Sequence, residues 1–144
     1  MRFTYPFQKI VDLKLNEKKL AESVLSQAVG VLASKEQQLS SVQAEKLRVQ
    51  EQLAVGAGTV SVSELTMKQQ YVNFLEERIR TTQTEVRSAE HQVETRRVEL
   101  SEKTIDQKVW MKARERAFLS HQHEVGKRTQ NELDDIVSAR WQRV

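Results

Sequence analysis

Four glycines and one proline are the only helix breakers in this 144-residue chain, and their placement constrains its fold more than any other feature. Pro6 stands near the start, Gly30 and Gly126 are isolated, and Gly56 and Gly58 fall together in Ala54-Val-Gly-Ala-Gly-Thr-Val-Ser-Val-Ser63. Most of the remainder is Gln, Glu, Lys, Arg, Ala, Leu, Val and Ser, the composition of long helices rather than of a sheet. One interruption between two helical runs predicts an all-α fold, a two-helix antiparallel coiled-coil hairpin with a longer C-terminal helix. The whole of 1–144 then forms one domain, with a helix over about 6–54, a turn over about 55–61 and a helix over about 62–142.

Hydrophobic residues make up 38% of the chain and aromatics 6%, too little for a thick globular core but enough for a seam between helices. Zero cysteines exclude disulfides and thiolate metal sites. The opening Met-Arg-Phe-Thr-Tyr-Pro lacks the apolar run of a signal peptide, and no window approaches a membrane span, so a cytoplasmic protein is expected. The net charge of +3 raises the question of nucleic acid. Basic and acidic side chains number 8 and 6 over 1–55, 7 and 8 over 56–105, and 8 and 6 over 106–144. Phosphate binding wants a basic stripe, and this interspersed charge predicts solvated helix faces and no nucleic-acid partner.

Pro6 suits a first helical turn, so the first helix is expected to open there. Ile10, Leu13, Leu20 and Val24 mark an apolar stripe, and Leu20, Val24, Ala28 and Leu32 step by four, the pattern of a stutter in the supercoil. Leu32, Leu39, Val42, Val49 and Leu53 return to heptad spacing, and the helix is expected to continue through Gly30. Ser61-Val-Ser-Glu64 fits a capping box opening the second helix, with Val60 and Leu65 as its hydrophobic staple. Val72, Ile79, Val86, Val93 and Leu100 then recur every seven residues with Leu75, Thr82 and Ala89 between them, a coiled-coil seam. Past Leu100 the apolar register shifts to Ile105, Val109 and Ala113, then Phe118, Leu119, Val125, Leu133, Ile136 and Val137.

At 1.5 Å per residue the first helix spans roughly 75 Å and the second roughly 120 Å. Folding back at Gly56–Gly58 sets residue 10 near residue 105 and leaves residues beyond about 110 as an overhang without a partner in the chain. Trp110, Phe118, Leu119, Ile136, Val137 and Trp141 lie there, and large apolar groups on an unpaired helix mark a partner surface. The alternative is an overhang that bends at Gly126 and returns onto Phe3, Tyr5 and Phe7.

No catalytic or cofactor chemistry is legible. His121 and His123 are two apart and lie on different helix faces, whereas helical zinc pairs sit four apart, and His91 is remote in sequence. Gly56-Ala-Gly58 has no following Gly-Lys-Ser/Thr and no preceding strand, and Ser61 stands where a dinucleotide fingerprint needs its third glycine. Glu76–Glu77 and Asp134–Asp135 are helix neighbours without an enclosing pocket. The expectation is a protein that is not an enzyme and holds no metal or cofactor.

The opening Met-Arg-Phe-Thr-Tyr-Pro-Phe-Gln-Lys-Ile-Val-Asp-Leu-Lys14 resembles the start of the FliJ family, small coiled-coil components of the bacterial flagellar export apparatus. So do Ser61-Val-Ser-Glu-Leu with Gln69-Gln-Tyr-Val-Asn-Phe-Leu75, Glu102-Lys-Thr-Ile with Lys112-Ala-Arg-Glu-Arg-Ala-Phe118, and Glu132-Leu-Asp-Asp-Ile136. The resemblance covers nearly the whole chain. It implies a stalk whose end, formed by both chain termini, enters the hexameric ring of the export ATPase FliI and promotes its assembly. Here that end carries Phe7, Ile10, Leu13, Trp110, Phe118 and Trp141. The resemblance also implies contact between the middle of the rod and the cytoplasmic domain of the gate protein FlhA. That face maps onto Gln38, Val42, Glu45 and Val49 of the first helix and Tyr71, Leu75, Arg78 and Thr82 of the second. Glu45 and Arg78 depart from the aromatic and the small residue that can stand at those places. Escort of export chaperones is implied as well, with support of flagellum assembly and motility. The implied place is peripheral to the cytoplasmic face of the cell membrane, at the basal body, and reached through partners only. A stalk of a non-flagellar type III secretion system, or a coiled-coil tether, is the alternative.

Overall fold

The computed structural model describes residues 2–55 and 61–142. Two helices account for most of them, Gln8–Val55 (α1, 48 residues) and Val62–Gln142 (α2, 81 residues), and no strand occurs among the described residues. The expected turn at Gly56–Gly58 and the staple residue Val60 lie outside the described residues. Contacts group the chain into two units, one of Met1–Leu20 with Ser101–Val144 and the other of Ala21–Leu100.

Pro6 and Phe7 form a turn just before α1, which begins two residues later than Pro6. The first amide bonds explain the start: Gln8 N donates to the Tyr5 carbonyl at 3.2 Å and Val11 N to the Phe7 carbonyl at 3.1 Å. At the start of α2, Glu64 N donates to Ser61 Oγ at 3.2 Å, the serine half of a capping box, and Glu64 adds an acidic group to the first turn. Gly30 leaves α1 unbroken, and a Cβ placed there would meet nothing within 4 Å.

In the unit of Ala21–Leu100 the helices run antiparallel. Lys46 Nζ pairs with Glu76 at 3.4 Å and Lys35 Nζ with Glu85 at 3.0 Å, so the α2 number rises as the α1 number falls. The α2 side of the seam is Val72, Leu75, Thr82, Val86, Ala89 and Val93, all buried, with Ile79 half-buried. On the α1 side the covered positions include Ala21, Leu25, Ala28, Leu32, Lys35, Leu39, Val42, Lys46, Val49 and Leu53, stepping alternately by four and three, with Val24 and Glu45 half-buried beside them. That spacing is an unbroken heptad and corrects the expected stutter. Leu20, which opened the run of four-steps, is 66% exposed. The expected heptad of Leu32, Leu39, Val42, Val49 and Leu53 lies among these positions, with Lys35 and Lys46 filling the steps between. Their stems pack against the partner helix while their ammonium groups reach Glu85 and Glu76. Buried Thr82 satisfies its hydroxyl within its own helix by donating to the Arg78 carbonyl at 2.8 Å.

The unit of Met1–Leu20 with Ser101–Val144 is also antiparallel. Lys14 Nζ pairs with Asp106 at 2.9 Å, and Arg114 Nε donates to Gln8 Oε1 at 2.7 Å. The Asp106 hydrogen bond raises the Lys14 pKa above the ordinary lysine value. This pair therefore supports the fold fully below that ordinary value and fades as pH rises through the raised one. Val11 is the buried residue of α1 here, while Leu13 of the expected apolar stripe is 53% exposed.

The expected change of register past Leu100 is corrected as well. The half-buried positions of α2 include Thr104, Gln107, Trp110, Arg114, Ala117, His121 and Val125, at spacings of three and four, whereas Ile105 and Val109 are about three-fifths exposed. The inward side is simply more polar, and the aliphatic stripe points away from it.

The two assignments of the seam differ in a measurable way. Urea unfolding of Leu75→Ala should show a loss of about 2–5 kcal/mol, the cost of deleting buried methyls. Leu20→Ala should change stability by no more than about 0.5 kcal/mol, as expected of an exposed site.

Candidate functional site

Two surfaces carry the residues singled out by the sequence. In the unit of Ala21–Leu100, the proposed gate face divides into a buried and an exposed part. Val49, Leu75 and Thr82 are at most 5% exposed and Val42 packs against the same cluster. These four hold the helices together and offer little to a partner. Gln38, Tyr71 and Arg78 are exposed and Glu45 is half-buried beside them.

Tyr71 is positioned by contacts on both helices. Its ring stacks on Phe74 with centroids 6.3 Å apart and planes 18° apart, and its Oη donates to Glu45 Oε1 at 3.3 Å. Arg48 Nε donates to the other Glu45 oxygen at 2.9 Å. The Arg48 guanidinium, with a smaller contribution from Tyr71, holds the Glu45 carboxyl below the usual carboxylate range. Glu45 therefore stays ionised as an acceptor for Tyr71 until pH falls below that range. Phe74, 60% exposed, and Met67, 67% exposed, belong to the same region of α2 and were not assigned to this face by the sequence. The available signal was a large aromatic at 74, off the seam positions 72 and 75.

In the other unit the aromatic residues of the N-terminal segment alternate. Phe3 and Tyr5 are half-buried, Arg2 and Thr4 exposed, so the segment presents one edge to α2. Ring centroids lie 6.4 Å apart for Phe3–Tyr5 and 5.7 Å for Tyr5–Phe7. Phe7 meets Trp110 at 6.3 Å, and Phe3 meets Phe118 edge-on at 5.2 Å and His121 at 5.3 Å. The Arg114 guanidinium sits 5.9 Å from the Phe3 ring. The segment is an aromatic strap.

The strap corrects the expectation that residues beyond about 110 lack a partner in the chain. Non-helical backbone advances about 3.3 Å per residue against 1.5 Å in a helix. The residues between Phe7 and Phe3 thus follow α2 from Trp110 to His121. The return onto Phe3, Tyr5 and Phe7 is achieved without a break in α2, which stays helical through Gly126. His121 Nε2 is enclosed by this packing with no hydrogen-bond partner among the described atoms.

Of the residues assigned to the terminal end, Ile10 and Trp110 are half-buried, Phe7 and Leu13 about half exposed, and Phe118 39% exposed. Trp141 is 78% exposed, and every described residue after Val125 is exposed, with Leu133, Ile136 and Val137 among them. No helix among the described residues is long and apolar enough to cross a membrane, and no group of three or more His, Asp or Glu there could hold a metal ion.

Comparison with known proteins gives one family. The model of the family described as "Flagellar FliJ protein" matches residues 3–144. No curated protein sequence matches. Among solved structures, a protein described as a YscO homolog, CT670 from Chlamydia trachomatis, is 18% identical. The alignment covers 94% of this chain and 95% of that one, with a TM-score of 0.43.

The strap makes a spectroscopic prediction. In a Trp141→Phe background, Phe7→Ala should shift Trp110 emission to the red, as the indole loses its cover. Phe3→Ala should lower stability by about 1–2 kcal/mol through its lost ring contacts. An unshifted Trp110 spectrum would mean the strap is not docked in solution.

Proposed function

Because this chain belongs to the family of flagellar FliJ proteins, we propose that it is the stalk component of a bacterial type III protein-export apparatus that serves flagellum assembly and motility. The observation that carries this reading is the family match over residues 3–144, which spans both helices and the aromatic strap. In the proposed role the terminal unit enters the hexameric ring of the export ATPase FliI and promotes its assembly. Trp141 is the foremost anchor because it is 78% exposed, whereas Trp110 and Phe118 are partly engaged by the strap. Phe7, Ile10 and Leu13 supply the α1 side of the same end.

The gate protein FlhA is proposed to dock its cytoplasmic domain on the face formed by Gln38, Glu45, Tyr71 and Arg78. Val42, Val49, Leu75 and Thr82 act beneath it as the support that fixes the Tyr71 ring. Phe74 joins this face through its stacking on Tyr71. Escort of export chaperones, and association with the cytoplasmic face of the membrane through these partners alone, complete the proposed role.

ATP turnover by FliI tests the ring contact. Trp141→Ala should reduce stimulation several-fold with unchanged helicity, since truncating an anchoring aromatic costs about 2 kcal/mol or more of binding. Full stimulation by the variant would remove Trp141 from the contact. For the gate, the double variant Tyr71→Ala/Phe74→Ala should weaken binding of the FlhA cytoplasmic domain by about tenfold or more. Both side chains are exposed, so helicity should persist. Unaltered affinity would place the gate contact elsewhere.

A further inference from the structure

Helix α2 passes through Gly126 without any structural demand for a glycine. Its φ is not positive, and an added Cβ would meet nothing within 4 Å, so alanine would fit the same backbone. Glycine in a helix interior still disfavours the helix relative to alanine, by about fivefold in the local equilibrium, because it loses the most backbone freedom on folding. Gly30 of α1 matches Gly126 in each of these respects. What separates the two is their surroundings. Gly30 has covered residues on both sides, with Ala28 before it, Leu32 after it and the seam running on to Leu53. Gly126 follows Val125, and every described residue of α2 beyond it is exposed.

The reach of the strap falls on the same turn. Phe3, its outermost ring, lies against Phe118 and His121 and lines one shallow groove with Gln122, Val125 and Gly126. Local ties follow within α2. Gln130 Nε2 donates to Asp134 Oδ1 at 3.2 Å, and Thr129 Oγ1 donates to the Val125 carbonyl at 3.0 Å, a bond that competes with the backbone ladder spanning Gly126. A helix as short as 127–142 is marginal alone in water, because forming its first turn is unfavourable. It persists by extending from the strap-held part of α2, where that first turn already exists. Every such extension passes through Gly126, so one residue governs whether the distal stretch is helical.

We propose that Gly126 is a folding boundary built into α2: residues 127–142 open and close as a helix independently of the strap-held part, and a partner that seats on this stretch orders it on binding. Resting on the proposed ring contact through Trp141, this makes that contact one of coupled folding and binding. The apparent affinity is then the intrinsic one reduced by the fraction of chains whose distal stretch is already helical. Glycine at 126 keeps that fraction low, so Trp141 takes up its pose only on docking.

Hydrogen–deuterium exchange of the full chain, with no partner present, tests the boundary. Amides of 127–142 should exchange at least about tenfold faster than those of 104–121, with the step at Gly126. Gly126→Ala should slow exchange over 127–142 by about two- to fivefold and leave 104–121 unchanged. Gly30→Ala is the matched control: it should slow exchange on both sides of residue 30 together and move no boundary. Uniform protection from 104 to 142, a step elsewhere in that range, or a Gly126→Ala effect spread equally over both stretches would each overturn the proposal. The ring contact is read separately. Stimulation of FliI by Gly126→Ala should reach half-maximum at about two- to fivefold lower chain concentration. An exchange step at Gly126 with an unchanged half-maximum would count against the ring contact through this stretch, not against the boundary.

Discussion

The inward seam between α1 and α2 is the interaction on which the rest depends. In the unit of Ala21–Leu100 its aliphatic centre is small: Val49, Val72 and Leu75 with Val42 and Leu53 packed against them. Beyond that cluster Leu25, Leu32, Leu39, Ile79, Val86 and Val93 alternate with smaller or more polar positions, among them Ala28, Lys35, Thr82 and Ala89, and Lys46 lies beside the cluster itself. Aliphatic layers supply the burial that drives pairing, about 1.5–3 kcal/mol for each large side chain fully removed from water. The paired lysines add little stability, since partly exposed ion pairs are worth about 1 kcal/mol or less. They do penalise other registers, because a slip would part Lys35 from Glu85 and Lys46 from Glu76.

In the unit that holds the chain ends, a different device extends the pairing. Helix α1 begins at Gln8, yet the chain keeps contact with α2 as far as His121, because the strap advances faster per residue than a helix does. Its cohesion is aromatic rather than aliphatic, with Phe3 set between Phe118, His121 and the Arg114 guanidinium. After Val125 the side chains of α2 are exposed on every side. A helix in that state is marginal by itself, which makes this stretch the natural place for a partner to add stability. The proposed ring contact through Trp141 draws on that property.

The helical class and the α2 seam from Val72 to Val93 were legible because valine, leucine and alanine recur there at heptad positions. The Ser61 cap was legible from its spacing to Glu64. The α1 heptad of Leu32, Leu39, Val42, Val49 and Leu53 was legible too, whereas the stretch before it was misread because Leu13 and Leu20, apolar and near the right spacing, face solvent while Lys14 holds a covered position. The same confusion past Leu100 arose from Gln107, Arg114 and His121 on the inward side and Ile105 and Val109 on the outer. Hydrophobicity alone cannot place a seam whose covered positions are long polar side chains with partners. Contact of Phe3, Tyr5 and Phe7 with the far part of α2 was legible only as an alternative that needed a bend at Gly126, because helical rise was applied to residues that are not helical. At the candidate site, Tyr71 was legible as an aromatic off the seam, whereas the division of its neighbours into buried support and exposed contact required both helices to be in place.

The central claim is that α1 and α2 of one chain form the inward seam together. Cysteines at Val49 and Val72, both members of the aliphatic cluster, test it most directly in a chain with no native cysteine. Mild oxidation at low micromolar concentration, followed by denaturing electrophoresis and mass spectrometry, should give a disulfide within single chains. Covalent dimers as the sole product would contradict the account and replace the hairpin with two separate chains paired through straight helices.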